Sequence, residues 1–384
     1  MKVAFASCSS IDSKFQHTQP IWGIIRQQQP NLLLLLGDNV YISKKGYEPI
    51  LEEGETIVDA RRRILEGKYR SQTEEEHFKK LLDKVDYLAV WDNHDFGLPG
   101  HKFTGGPNAI SMWGAEAPDD HRKMARELFD EYLKKGSQRP FTEHVYCCYE
   151  KEGVKFFMLD VRSHQMDPSP LFPNRNISLL GSVQEEWLLE GLHESRADIN
   201  VICSGIPYSL GSGGGWQPYG RWVNQFNRMV ASKKKVLFLG GNIHGNGFKR
   251  HRLWDRSGIV PFGIPPPPPP DDDDELPETT FFPGLKERCM YEIISSGVGQ
   301  KFKCPPAPGA ADGDDDDDES DDDKTPDWAL QCLPRNNYGI IDIGPSIVRV
   351  TLYGQHRNSM HFAEINREDW TLSTYQHMKE ADPS

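Results

Sequence analysis

Leu32-Leu33-Leu34-Leu35-Leu36-Gly37-Asp38-Asn39-Val40-Tyr41 is the stretch that decides the fold class. Five leucines closed by a Gly-Asp turn are too short for a buried helix and read as a strand covered on both faces. The same grammar, an apolar run that stops at an unusual polar residue, recurs along the chain. Val3 to Ala6 runs into Ser7-Cys8-Ser9, and Tyr87 to Trp91 into Asp92-Asn93-His94-Asp95. Val154 to Leu159 runs into Asp160-Val161-Arg162, and Val236 to Leu239 into Gly240-Gly241-Asn242-Ile243-His244. Ile199 to Cys203 is a further apolar run.

Helix-like stretches lie between several of these runs. Thr73 to Val85 carries Phe78, Leu81, Leu82 and Val85 at helical spacing behind Thr73-Glu74-Glu75-Glu76, which predicts a capping box. Ser182 to His193 places Val183, Trp187, Leu188 and Leu192 on one face, with Ser182 as N-cap and Glu185 at the third helical position. Strands alternating with helices predict an α/β sheet core. After residue 285 the pattern changes to successive strands at Cys289 to Ser295, Tyr338 to Ile343, Ile347 to Tyr353 and Ser359 to Ile365. A mixed sheet or a two-sheet sandwich with outer helices fits this better than a purely parallel sheet.

The 384 residues include 57 acidic and 44 basic side chains, for a net charge of -13. Fifteen of those acids sit in two tracts, Asp271 to Glu275 and Asp312 to Asp323, so the rest holds 42 acids against 44 bases, near +2. A strongly basic nucleic-acid binder is excluded, and so is a uniformly acidic surface. Ile264 to Glu278 joins six consecutive prolines to four aspartates, and Cys304 to Pro326 is almost free of apolar residues. Both are expected to be disordered insertions (264–278 and 304–326) in a single domain spanning 1–384. A calcium-binding or partner-binding tract is the alternative.

A hydrophobic content of 37 % supports a sizeable core. The longest apolar run, Leu32 to Leu36, is far short of the roughly 20 residues that span a bilayer. Val3-Ala4-Phe5-Ala6 is too short for the roughly 7–15-residue apolar segment of a signal peptide, which favours a cytoplasmic location. Seven scattered cysteines form neither a disulfide framework nor a zinc pattern and are expected to be reduced.

In open α/β sheets, ligands bind beyond the carboxyl ends of the strands, where residues following successive strands converge. Thiolate, carboxylate, phenolate, amide oxygen and imidazole together are donors for di- or trivalent metal ions, and packed carboxylates without a cation would repel. Any one of these endings is commonly only a turn. Five in one chain point to a metal site.

In this ordered series the sequence resembles the PhoD-like alkaline phosphatases of the calcineurin-like metallophosphoesterase superfamily. The resemblance rests on Cys8, Gly37-Asp38-Asn39-Val40-Tyr41, Trp91-Asp92-Asn93-His94-Asp95-Phe96-Gly97, Asp160-Val161-Arg162 and the late Gly-x-x-His element. It continues in Leu180 to Leu188, Tyr291 to Gly297 and Asn337 to Asp342, covering roughly residues 3 to 355 apart from the acidic insertions. It implies a four-layer α/β/β/α sandwich with a multinuclear metal site. Cys8 and Tyr41 would ligate Fe3+, Asp38 would bridge to a second metal such as Ca2+, Asn93 would bind that metal, and His244 would fill the last position. Mn2+ or Zn2+ are alternatives. Asp160 and Asn242 complete the implied metal set, while Asp92, Asp95 and Asp160 could equally orient ligands or bind calcium.

One departure from the family pattern is Asn242, where the family usually has Asp. The amide keeps a carbonyl oxygen but removes a negative charge, which weakens divalent affinity. Leu98-Pro99-Gly100-His101-Lys102 also departs, so no substrate contact is carried over there. The implied activity is hydrolysis of a small-molecule phosphate ester by a metal-activated water. Asn93 and His94 would touch the phosphoryl group, His94 would protonate the leaving alkoxide and Arg162 would clamp phosphate. The alternatives are a catalytically weakened scaffold protein and a phospholipase D-like diesterase.

Overall fold

The computed structural model describes residues 1–11, 19–42, 49–98, 114–134, 137–138, 143–168, 177–209, 215–233, 235–255, 286–298, 336–354 and 359–377. The two acidic insertions expected at 264–278 and 304–326 lie outside the described residues.

In chain order the strands are β1 (Lys2–Ala6), β2 (Leu32–Leu36), β3 (Tyr87–Val90), β4 (Cys147–Lys151), β5 (Val154–Met158), β6 (Ile199–Cys203) and β7 (Val236–Gly240). They continue as β8 (Asn246–Asp255), β9 (Lys286–Ser295), β10 (Asn337–Ile343), β11 (Ile347–Gly354), β12 (Ser359–Asn366) and β13 (Leu372–His377). The helices are α1 (Pro20–Gln27), α2 (Ile57–Glu74), α3 (Glu76–Leu82), α4 (Asn93–Phe96), α5 (Asp119–Phe129), α6 (Ser182–Glu194) and α7 (Gly220–Ser232).

The strands form two sheets. One has the order β13-β12-β11-β10-β1-β2-β3 and the other β4-β5-β6-β7-β9-β8. Each is mixed. β1 pairs in parallel with β2, Val3 opposite Leu32, and antiparallel with β10, Val3 opposite Ile341. The period of two sorts the side chains into layers. Val3, Phe5, Leu32, Leu34, Leu36, Leu88 and Val90 pack against Val201, Cys203, Leu237 and Leu239 of the other sheet. The alternate residues Ala4, Ala6, Leu33, Leu35, Tyr87 and Ala89 meet Trp22, Leu65, Phe78 and Phe129 of the helices. On the far side of the second sheet, Ile202 and Phe238 meet Leu188, Leu192, Trp222 and Phe226. The architecture is the α/β/β/α sandwich.

Two helix starts differ from the sequence expectation. Thr73 belongs to α2 and its hydroxyl donates to the Tyr69 carbonyl at 2.9 Å, while α3 is capped by Glu75, whose carboxylate accepts from Phe78 N at 2.7 Å. Continuous helix claims Thr73, so the cap falls at the break that follows. Ser182 is the first helical residue of α6 rather than its cap; Gly181, at φ 79°, precedes it, and Glu185 accepts from Ser178 instead. Val183 stands 66 % exposed, so the buried face of α6 is Gln184, Leu188 and Leu192.

Candidate metal centre

The parallel strands β1, β2 and β3 of one sheet and β5, β6, β7 and β9 of the other carry the site residues at or beyond their C-terminal ends, and the chain turns sharply there. Cys8 (φ 60°), Asp38 (φ 49°), Asn242 (φ 71°) and His244 (φ 53°) all hold left-handed backbone. That region costs a non-glycine residue of order 1 kcal/mol or more and recurs at functional sites. β1 and β2 stay paired past their ends, with Cys8 N donating to Gly37 O at 3.2 Å and Ser9 N to Asp38 O at 2.8 Å. Gly241 lets the last turn dock: a Cβ there would lie 2.6 Å from Leu36 O, 2.8 Å from Ser7 Oγ and 2.9 Å from Gly205 O.

These turns bring Cys8, Asp38 and His244 together, with one ligand atom of each within 4.8 Å of the others. Cys8 Sγ lies 3.7 Å from Asp38 Oδ2, and Tyr41 Oη lies 3.1 Å from the same oxygen and 2.7 Å from His244 Nε2. The phenol can donate to Asp38 Oδ2 while accepting from His244 when Nε2 carries the ring proton. His94 joins them: its N–H donates to Asp38 Oδ1 at 3.2 Å, and its ring packs on Tyr41 at a centroid distance of 4.0 Å. Asn93 begins α4, one residue before that contact.

The other expected residues sit further out. Asp160 Oδ1 accepts from Trp91 Nε1 at 2.7 Å, Ser163 N at 2.9 Å and Arg162 N at 3.0 Å, and Oδ2 accepts from Ser163 Oγ at 2.6 Å. Asn242 is half-buried in the His244 turn. Arg162 is buried, its Nε bonded to Asp92 and its Nη1 to Gln165 Oε1 at 2.7 Å. Asp95 accepts from Asn39 N at 3.1 Å, Tyr69 Oη at 3.1 Å and Asp92 N at 3.0 Å, a buried brace for the Asp38 and Asp92 turns.

Burial sets the electrostatics. It pushes the Cys8 thiol and the Tyr41 phenol well up, with the adjacent Asp38 charge adding to both. Burial also raises Asp38 to about 6, against the pull of the Arg162 guanidinium and the His94 N–H. His244 is lowered to about 4, first by burial and then by His94, so it is a neutral imidazole near pH 7. Three acidic groups packed closely with a neutral imidazole match a cation, which replaces the protons and removes the repulsion. Asp92 Oδ2, fully buried and without a hydrogen-bond partner among the described residues, is a further oxygen that suits one. The donor set fits a metal ion.

A family description for PhoD-like phosphatases matches residues 3–251. The chain belongs to the PhoD-like phosphatase family. It is 24 % identical over 283 residues to alkaline phosphatase D of Bacillus subtilis (strain 168), a match covering 64 % of this chain. It spans only 46 % of that curated relative's length. The solved structure described as "Structure of PhoD" superposes with a TM-score of 0.63 at 14 % identity, covering 100 % of this chain and 72 % of the other. That likeness establishes the shared PhoD-like fold. Among the described residues, no helix is long and apolar enough to cross a membrane.

Ser7 and Ser296 reach this site without having been singled out in the sequence for chemistry. Their signal was available for Ser296: Ser295-Ser296-Gly297 closes β9 as polar residues close the other strands.

Proposed function

We propose that the chain is a metal-dependent hydrolase of small phosphate esters, with phosphomonoesters as its preferred substrates. The observation that carries this is the convergence of Cys8 Sγ, Asp38 Oδ2, Tyr41 Oη and His244 Nε2 beside His94. Cys8, Asp38, Tyr41 and His244 would hold the ion; a thiolate and a phenolate favour Fe3+ there. Asp38 Oδ1, Asn93 and Asn242 would supply oxygen ligands to a second ion, for which Ca2+ is suited. A bound cation supplies Lewis-acid polarisation of the phosphoryl oxygens and of the attacking water.

The residues supply positioning and proton transfer. Ile42 N donates to His94 Nδ1 at 3.3 Å, which leaves the neutral ring's proton on Nε2. From there His94 Nε2–H would hydrogen-bond the leaving oxygen, while full proton transfer to the alkoxide would call for the imidazolium, since a neutral ring would be left as an imidazolate. Asn93 orients the phosphoryl group from the start of α4. Arg162, tied to Asp92 and Gln165, steadies the Asp92 turn and contributes positive charge beside Asp38.

The test is metal content together with hydrolysis of p-nitrophenyl phosphate and bis-p-nitrophenyl phosphate, for the wild type and for Asp38→Ala. Bound metal and monoester turnover that vanish in Asp38→Ala are expected. Absence of both in the wild type, or turnover that survives the substitution, sinks the proposal. Faster diester than monoester turnover would reassign the substrate class.

A second reading, a scaffold that binds without turnover, draws on Asn242. The amide carries no charge where the family usually places a carboxylate. Metal uptake without hydrolysis of either ester would favour it.

A further inference from the structure

We infer that Ser296 is a positioning residue of the metal centre, using one hydroxyl to fix the Cys8 sulfur and the His244 turn together. The inference rests on the proposed reading of that centre as a metal site. Ser296 is fully buried just beyond β9, in the sheet opposite β1. Its Oγ donates to Cys8 Sγ at 2.9 Å and accepts from the His244 backbone N–H at 3.0 Å. A hydroxyl has one proton and two lone pairs, so both bonds stand at once.

The surroundings hold the hydroxyl in this orientation. Asn337 Nδ2 donates to the Ser296 carbonyl at 2.7 Å, and Ser296 N donates to Gly245 O at 2.9 Å. Gly297 N and Val298 N both donate to Ser7 O, at 3.2 and 3.1 Å, stapling this segment to the end of β1. The neighbouring hydroxyls are placed for other work. Ser295 Oγ donates to Asn337 Oδ1 at 2.8 Å, and Ser7 Oγ is 3.6 Å from the sulfur while lying 3.3 Å from Ser295 O. Ser296 is therefore the best-placed hydroxyl donor to Cys8.

A hydrogen bond to a ligating sulfur stabilises its lone pairs, favours thiolate over thiol and tunes the electron density it gives a cation. Losing the Ser296 hydroxyl thus raises the energy of the sulfur lone pairs. It also frees the His244 turn from its anchor in the neighbouring strand.

The experiment adds cobalt(II) to the metal-stripped full chain and records the thiolate-to-cobalt absorption band and the affinity. Ser296→Ala is expected to move the band to lower energy and to weaken cobalt binding by about 10–100-fold. Ser296→Thr, which keeps the hydroxyl, should restore the wild-type band, and Ser295→Ala should leave it in place. An unmoved band with wild-type affinity in folded Ser296→Ala overturns the inference, as does an equal shift in Ser295→Ala. If Ser296→Ala does not fold, Ser296→Gly removes the same donor and is judged by the same shift. A wild-type chain that takes up no cobalt overturns the metal reading as well; a wild-type band indifferent to residue 296 overturns only the role of Ser296.

Discussion

Tyr41 Oη stands 2.7 Å from His244 Nε2, although 203 residues separate them in the chain. The contact joins a turn of one sheet to a turn of the other, and Asp38 shares the same phenol. Tyr41→Phe keeps the ring that packs on His94 and removes only the oxygen. Metal affinity is expected to fall by at least the roughly 10–100-fold that loss of an outlying partner costs, with turnover falling alongside. Chelator competition on the purified variant, with a circular dichroism spectrum to confirm folding, checks this. Wild-type affinity would remove Tyr41 from the ligand set.

Asn242→Asp restores a carboxylate two residues before His244. Asparagine and aspartate both tolerate the φ of 71° observed there, so the backbone needs no rearrangement. The added charge should tighten divalent binding and raise turnover at subsaturating metal, measured by titrating Mn2+ or Ca2+ into metal-stripped protein. Unchanged binding would mean that the amide oxygen serves as well as a carboxylate.

Asp38→Asn should separate stability from activity. Asp38 is raised from 3.8 to about 6 by burial, so in metal-free protein its folded state holds the proton more tightly than the unfolded chain does. Stability is therefore lost as pH rises from 3.8 through about 6, and that cost is fully present at pH 8. Replacing the carboxyl by an amide should stabilise metal-free protein at pH 8 by on the order of 2–3 kcal/mol while hydrolysis disappears. Urea unfolding at pH 8 gives the difference, and a less stable Asp38→Asn contradicts the electrostatic account.

His121 carries the opposite pH dependence. Burial lowers it from 6.5 to about 4; Nε2 bonds the Phe96 carbonyl at 2.8 Å and Nδ1 has no hydrogen-bond partner. The unfolded chain binds the proton first, so stability present above pH 6.5 is lost as pH falls through about 4. Between pH 7 and pH 4 the wild type should lose roughly 3 kcal/mol more than His121→Gln. Comparing the two chains cancels the other titrating groups, and parallel curves would refute the assignment.

The sheet core was legible because its strands are apolar on both faces. Leu32–Leu36 and Ile199–Cys203 match the runs read from sequence, and β1, β3, β5 and β7 differ by one residue at an end. β4, β8 and β13 were not read. Cys147-Cys148-Tyr149-Glu150-Lys151 and the Lys249-Arg250-His251-Arg252 segment carry polar residues, because β4 and β8 end their sheet and lack a second neighbour. Cys8, Asp38, Tyr41, His94 and His244 were legible as strand endings, and the fold brings them together. Asp160 also follows a strand, and its carboxylate accepts from Trp91, Arg162 and Ser163. Arg162, expected as a phosphate clamp, is bound to Asp92 and Gln165. Partners within the same turn, together with Trp91 and Asp92 beyond β3, decide these cases.

The place of β10 between β1 and β11 has a consequence for synthesis. β1 and β2 leave the ribosome before β10 and can pair at once, but the far flank of β1 and the segment that carries Ser296 follow more than 240 residues later. Until then the Cys8 thiol has no His244 or Ser296 beside it, and a nascent chain holds only half of a donor set. The cluster of Cys8, Asp38, Tyr41, His244 and Ser296 is therefore assembled only once β9 has docked, long after its first members have paired.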